Sequence, residues 1–302
     1  MSSRILITGA SGNVGGALLA QLRHEAAAQG VNLVAASRSE AQRVAFDMQG
    51  VQAVPFDFAE AASVSAAMRG IDQVFLCTGY TVDMLVHSKL ALDAARDAGV
   101  RQVVHLGALG PQGTDLPHFV WHDYVEAYIA QMGFQYTFLR PRAFMQNVLS
   151  TLRPGSCVLR HFSGASRIGW IDVDDIAAVA AQALLDPARH AGRTYPLCED
   201  LLSMDGVAAV LADATGMPFV AEGRDPALLL PALIKSGMDP VYATSLARGT
   251  AATARGEAAD ASAVHDTVRQ VTGRAGTRWA DFARIHCARL LRQAPAAPAP
   301  PK

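Results

Sequence analysis

Cysteine is scarce in this 302-residue chain: four residues, Cys77, Cys157, Cys198 and Cys287, stand far apart. They share no metal-ligand spacing and form no legible disulfide framework, so the chain reads as a reduced, cytoplasmic protein. An excess of either charge is also missing. The 26 Lys and Arg face 27 Asp and Glu, a formal net charge of −1, which gives no global pull toward nucleic acid or an anionic membrane. No apolar run approaches the length of a transmembrane helix, and the N-terminus carries no cleavable signal pattern. Internal repeats are absent as well. What is present is 51% hydrophobic and 18% charged, an ordinary globular balance with enough chain for a large core.

The most informative stretch is the first. A β-branched apolar run at 5–7 reads as a buried strand, and residues 17–22 then take up helical spacing. Between them lie Gly9, Ala10, Ser11, Gly12, Asn13, Val14 and Gly15. Gly9 allows a tight turn out of the strand, Gly12 lets backbone N–H groups approach a pyrophosphate, and Gly15 lets the helix pack on the sheet. The helix N-terminus then faces the phosphates with its partial positive charge. The G-x-x-G-x-x-G spacing is looser than the usual fingerprint, so its flanking strand and helix carry the reading.

The strand-then-helix beat continues. Further strands are expected near 31–36, 52–56, 73–77, 103–106 and 136–139, with helices around 40–48, 59–69, 82–98 and 119–132. Short apolar strands alternating with helices of this length imply a parallel sheet covered on both faces. The expected fold class is α/β: a Rossmann-type doubly wound parallel sheet with a smaller, mostly helical C-terminal lobe. Residues 1–150 form the dinucleotide-binding domain, completed by a strand near 193–198. Residues 151–292 form the smaller substrate lobe, interleaved with the sheet, with helices expected at 176–186, 204–214, 226–235, 240–248, 261–271 and 279–291. The acids at 172–175 suit a helix N-terminus. Residues 293–302, rich in Pro and Ala, are expected to be disordered.

Ligands of such sheets sit at the carboxyl ends of the strands, so the residues that follow each strand matter. Arg38 stands after the second strand, where NAD sites commonly offer a carboxylate to the adenine ribose. An Arg there can clamp a 2′-phosphate, so NADP(H) is favoured over NAD(H). Asp57 and Phe58 follow the third strand and can border an adenine, although Asp57 equally suits a helix cap. Thr78, Gly79 and Tyr80 follow the fourth strand and offer a small residue where backbone passes close to a cofactor.

Taken together, these motifs resemble the NmrA-like family of atypical short-chain dehydrogenases. The resemblance rests on residues 8–15, 103–110, 137–141 and 144–147, and further on 170–177, 267–274 and 281–283. It implies cofactor contacts at the Gly-rich turn, Arg38, Asp57, Phe58, Thr78, Gly79 and Tyr80. It also implies Lys89 on the helix after the fourth strand, and Phe144, Met145, Gln146 and Asn147 beside the nicotinamide. The family includes NADPH-dependent reductases of quinones, azo compounds and dyes. It also includes redox-sensing regulators that bind the dinucleotide without turnover.

The sequence departs from ordinary short-chain dehydrogenases at their catalytic triad. The serine position after the fifth strand is Gly107. With Glu126 aligned to the acid that follows the family's lysine, the lysine position becomes His122 and the tyrosine position His118. Alcohol and ketone chemistry is thereby disfavoured, and hydride delivery to a small activated acceptor such as a quinone fits better. The alternative is an NAD(P)-sensing regulator that binds a protein partner. His122 is the candidate catalytic residue. Neutral, its imidazole can hold a ribose hydroxyl; charged, it can donate a proton.

Overall fold

The computed structural model describes residues 3–257 and 263–293. The Pro/Ala tail at 294–302, and the 261–262 start of the helix expected at 261–271, lie outside the described residues.

The N-terminal half alternates as the sequence suggests: β1 (Arg4–Ile7), α1 (Asn13–Ala28), β2 (Asn32–Ser37), α2 (Glu40–Met48), β3 (Gln52–Pro55) and α3 (Ala61–Met68). It continues with β4 (Gln73–Leu76), α4 (Met84–Asp97), β5 (Gln102–Leu106), α5 (Pro117–Gln131) and β6 (Gln135–Pro141). The second half holds β7 (Ala143–Phe144), α6 (Met145–Thr151), β8 (Val158–His161), β9 (Ile168–Ile171), α7 (Val173–Leu185), α8 (Pro187–His190) and β10 (Arg193–Leu197). Then come β11 (Asp200–Leu202), α9 (Met204–Thr215), β12 (Val220–Gly223), α10 (Leu229–Lys235), α11 (Pro240–Ala254), α12 (Thr267–Thr272), α13 (Trp279–Ile285) and α14 (Cys287–Gln293).

Seven parallel strands form the main sheet in the order β3-β2-β1-β4-β5-β6-β10. The chain starts at β1 and winds outward to one edge, then returns beside β1 as β4, so the switch point lies between those two strands. Period-two alternation divides the core. Ile5 and Ile7 join Leu18, Leu22, Ile176, Val179 and Val268 on the face covered by α1, α7 and α12. Leu6 joins Val64, Met68, Met84, Leu92, Val125 and Ile129 on the face covered by α3, α4 and α5. The chain after residue 150 therefore re-enters the main sheet through α7, β10 and α12.

The smaller lobe has its own core of Val148, Leu149, Trp170, Val207, Leu211, Trp279 and Phe282. Besides helices it carries two small sheets, β11-β9-β7 and β12-β8. Those strands are only two to four residues long. They pair over long sequence separations, β8 with β12 for instance, so no local periodicity announces them. Asp172 caps α7 by accepting from the Asp174 N–H at 3.1 Å. Among the described residues, no helix is long and apolar enough to cross a membrane.

Candidate active site

The Gly-rich turn has little freedom to be anything else. Gly9 sits at φ +63°, and a Cβ on Gly15 would come within 2.2 Å of the Gly9 carbonyl oxygen, a distance no side chain tolerates. The Gly12 N–H closes the turn on that carbonyl at 2.9 Å. Thr8 ties the turn to the neighbouring strand: its hydroxyl accepts from the Cys77 N–H at 2.8 Å and donates to the Phe75 carbonyl at 3.0 Å. The first turn of α1 carries no acidic residue, so nothing opposes an anion at this N-terminus.

A cavity of about 890 Å³ opens at the switch point. It is lined by Gly9, Gly12, Asn13, Val14 and Gly15 of the turn, by Thr78, Tyr80, His122, Phe144 and Asn147, and by Leu116, Phe119, Tyr242 and Leu246. The residues fit a dinucleotide on three observations. Asn13 and Val14, the first residues of α1, line the cavity. The glycines let the turn fold closely on itself beneath that helix N-terminus. Thr78 Oγ1 is buried there without a hydrogen-bond partner among the described residues, a group that asks for a ligand.

His122 lies on α5 and is 4% exposed. Its Nδ1 is 3.1 Å from Nε2 of His105 on β5, and its Nε2 is 3.0 Å from the Tyr80 hydroxyl. Burial pushes the His105 pKa down to about 4. It pushes His122 well below the usual imidazole value, and His105 and His118 add to that shift. Burial, aided by Tyr242, raises the Tyr80 phenol. All three groups are thus neutral near pH 7. One turn earlier, His118 Nδ1 meets the Ser245 hydroxyl at 2.7 Å, and burial holds its pKa down to about 4. Tyr242 of α11 stacks on Tyr80 with ring centroids 4.7 Å apart and planes 6° from parallel.

Glu126 does not satisfy His122, although it shares its helical face. Its carboxylate is buried against Arg140, whose Nε reaches Oε1 at 3.1 Å. This pair explains Gly107. A Cβ there would come within 2.8 Å of Glu126 Oε1, so the serine of ordinary short-chain dehydrogenases would have to displace a carboxylate that Arg140 holds.

The structure gathers only some of the residues singled out from the sequence. Gly9, Gly12, Asn13, Val14, Thr78, Tyr80, His122, Phe144 and Asn147 share the cavity. Ala10 is buried beneath the turn, while Ser11 and Gly79 are exposed. Arg38 is exposed just past the end of β2, with its carbonyl held by Arg43 Nη1 at 2.8 Å. Asp57 accepts from the Ala59 N–H at 3.0 Å, and Phe58 stacks on His87. Lys89 lies outside the cavity, its exposed amine paired with Asp93 at 2.5 Å. Met145 is fully buried in the small lobe's core. Gln146 faces the start of α7, donating to Asp172 and accepting from the Val173 N–H at 3.2 Å. Sequence reasoning missed His105, Ser245 and Tyr242. His105 sits in an apolar strand, and the other two come from a helix more than a hundred residues away.

A doubly wound sheet with a Gly-rich turn and a cavity at its switch point places the chain among Rossmann-fold proteins. More narrowly, it belongs to the NmrA-like family, which it matches over residues 1–256. It is 31% identical over 299 residues to the NAD(P)H azoreductase of Xenophilus azovorans, covering 94% of this chain and 98% of that one. The NADPH-dependent quinone oxidoreductase of Escherichia coli, solved with NADPH, superposes with a TM-score of 0.78 at 24% identity, over 95% of this chain and 99% of that one. NmrA, a negative transcriptional regulator solved with NAD, superposes with a TM-score of 0.74 at 18% identity over 94% of both chains. At these identities the two solved structures speak to the fold alone.

Proposed function

We propose that this chain is an NAD(P)H-dependent reductase that delivers hydride to a small activated acceptor, quinone-like in its electronics, with NADP(H) favoured over NAD(H). One observation carries the reading: a single cavity joins the N-terminus of α1 to an aromatic and apolar wall without any Ser–Tyr–Lys machinery. The name of the azoreductase relative supports the reductase class.

In this reading the backbone N–H groups of Asn13 and Val14 hold the pyrophosphate. Arg38 holds the 2′-phosphate, and Asp57 and Phe58 border the adenine. Tyr80, oriented by His122, and Asn147 hold the nicotinamide riboside end, and Phe144 packs beside it. Bound NAD(P)H supplies the hydride. The wall of Leu116, Phe119, Tyr242 and Leu246 keeps water from an apolar, planar acceptor. His122 positions rather than protonates, because its burial keeps the imidazole neutral. An acceptor whose hydride adduct is a stabilised anion needs no enzymic acid.

Mixing the purified protein with NADPH and a panel of quinones, while following cofactor absorbance, tests the proposal. Oxidation of NADPH that depends on both protein and quinone is expected. Tight cofactor binding with no oxidation across quinones, azo compounds and dyes would replace the reductase with an NAD(P)-sensing regulator.

A further inference from the structure

The chain Tyr80–His122–His105 runs from the cavity into the core, and its protons can be ordered in only two ways. A neutral imidazole carries one N–H. Either His122 donates through Nδ1 to His105 and accepts from Tyr80, or His105 donates to His122, which donates to Tyr80. The two orders present opposite faces of the phenol to the cavity.

Both ends of the chain favour the first order. At the inner end, His105 Nδ1 is buried and makes no well-formed hydrogen bond. It belongs to a ring on β5 that faces the carbonyl of Leu76, its register partner on β4, and that carbonyl favours a proton on the ring. The second order would set a bare nitrogen lone pair against a carbonyl oxygen at a buried site. At the outer end, a phenol O–H is a better donor than an imidazole N–H, and an sp² imidazole nitrogen a better acceptor than a phenol oxygen. The 3.0 Å Tyr80–His122 contact is the stronger bond when the tyrosine donates.

We propose that His105 is a positioning residue that orders these protons inward, so that Tyr80 donates to His122 and presents only its oxygen lone pairs to the cavity. Tyr80 is then a fixed hydrogen-bond acceptor, and the ligand group that meets it is an N–H or O–H donor. On the dinucleotide reading above, on which this part rests, that donor is the nicotinamide carboxamide or a ribose hydroxyl. The same order withholds a proton from the reduced acceptor. Giving one would leave a phenolate beside two neutral imidazoles, neither of which carries a spare proton. Water is the proton source.

Long-range ¹H–¹⁵N correlation spectra of histidine-labelled full-length protein without ligand read the tautomers directly. His105→Gln and His122→Gln assign the signals. The expected result is a proton on Nδ1 of both rings, and a His122 ring protonated on Nε2 overturns the proposal. In His105→Phe the His122 Nδ1–H loses its acceptor, and the Nε2 tautomer should grow; no change there also overturns the role given to His105.

Calorimetric titration of Tyr80→Phe then tests the acceptor with two probes, NADPH and its 3-acetylpyridine analogue, which lacks the carboxamide N–H. A five- to twentyfold loss for NADPH alone identifies the carboxamide, and an equal loss for both identifies a hydroxyl. Unchanged affinity for both removes Tyr80 as an acceptor. A wild type that binds neither probe overturns the dinucleotide reading, and the spectra still decide the proton order.

Discussion

Arg38 is the residue on which the proposed cofactor preference rests. It follows β2 with its side chain exposed, where a bound 2′-phosphate would replace water around the guanidinium. A charge-assisted pair of this kind is worth about 1.5–3 kcal/mol, so wild-type protein should bind NADPH at least about tenfold more tightly than NADH. Titrating both cofactors into wild type and Arg38→Ala checks this; an unchanged ratio in the variant ends the claim. Gly107 makes a second residue-scale case. Gly107→Ser introduces the serine of ordinary short-chain dehydrogenases but drives its Cβ against a carboxylate that Arg140 already holds. Overpacking of this kind costs about 1–3 kcal/mol, so urea unfolding should show a loss of stability with no gain of alcohol dehydrogenase activity. The Gly-rich turn was legible because its signal is local. The exclusion of the serine was not, because it depends on Glu126 and Arg140 meeting in space. For Lys89 a local cue does exist: Asp93, four residues on, offers a competing helical ion pair.

At the scale of elements, α11 is the least anchored part of the cavity wall. Neither α10 nor most of α11 is buried; in α11 only Ala243 and Ser245 are. Its hold on the Rossmann half comes from the Tyr242–Tyr80 stack, the Ser245–His118 hydrogen bond and an exposed Arg248–Asp115 pair at 2.7 Å. The exposed pair contributes little. Ser245→Ala leaves His118 Nδ1 buried without its partner, at a cost of about 1–3 kcal/mol. Hydrogen exchange should therefore quicken in α11 well before it does in the main sheet. Equal exchange in variant and wild type would show that stacking alone fixes the helix. Sequence periodicity found this helix, expected at 240–248 and observed as Pro240–Ala254. It could not say which neighbour the helix touches. Its partners at Tyr80 and His118 lie more than a hundred residues away, and β8 pairs with β12 across a separation of 62 residues. Elements whose order follows from βαβ winding were readable, and contacts between the lobe and the sheet were not.

At the scale of the whole molecule, four buried groups set opposing dependences of stability on pH. The folded pKa values of His105 and His118 lie near 4, and that of His122 lies well below 6.5. Between about pH 4 and 6.5 the unfolded chain therefore binds protons that the native state refuses, and stability rises with pH. Glu199 has the opposite sign. It is 8% exposed, one oxygen has no hydrogen-bond partner among the described residues, and the backbone at Gly276 packs against its carboxyl. Burial, with the charge of Asp175 beside it, pushes its pKa from 4.5 to about 7. In that window the native state keeps a proton that the unfolded chain releases, so stability falls as pH rises. From pH 4.5 to 6.5 three imidazole protons outweigh one carboxyl proton, and the contribution of these groups climbs. Above 6.5 the three unfolded imidazoles still hold a falling share of protons that offsets the proton native Glu199 keeps, so the climb slows and the contribution levels off at about pH 7.5. Urea unfolding in steps from pH 4.5 to 8 should show this contribution rising to a plateau at about pH 7.5. Glu199→Gln should gain on wild type steadily up to pH 7 and then hold a constant difference. Parallel curves for the two proteins would mean that the carboxyl is already ionised in the native state across this range.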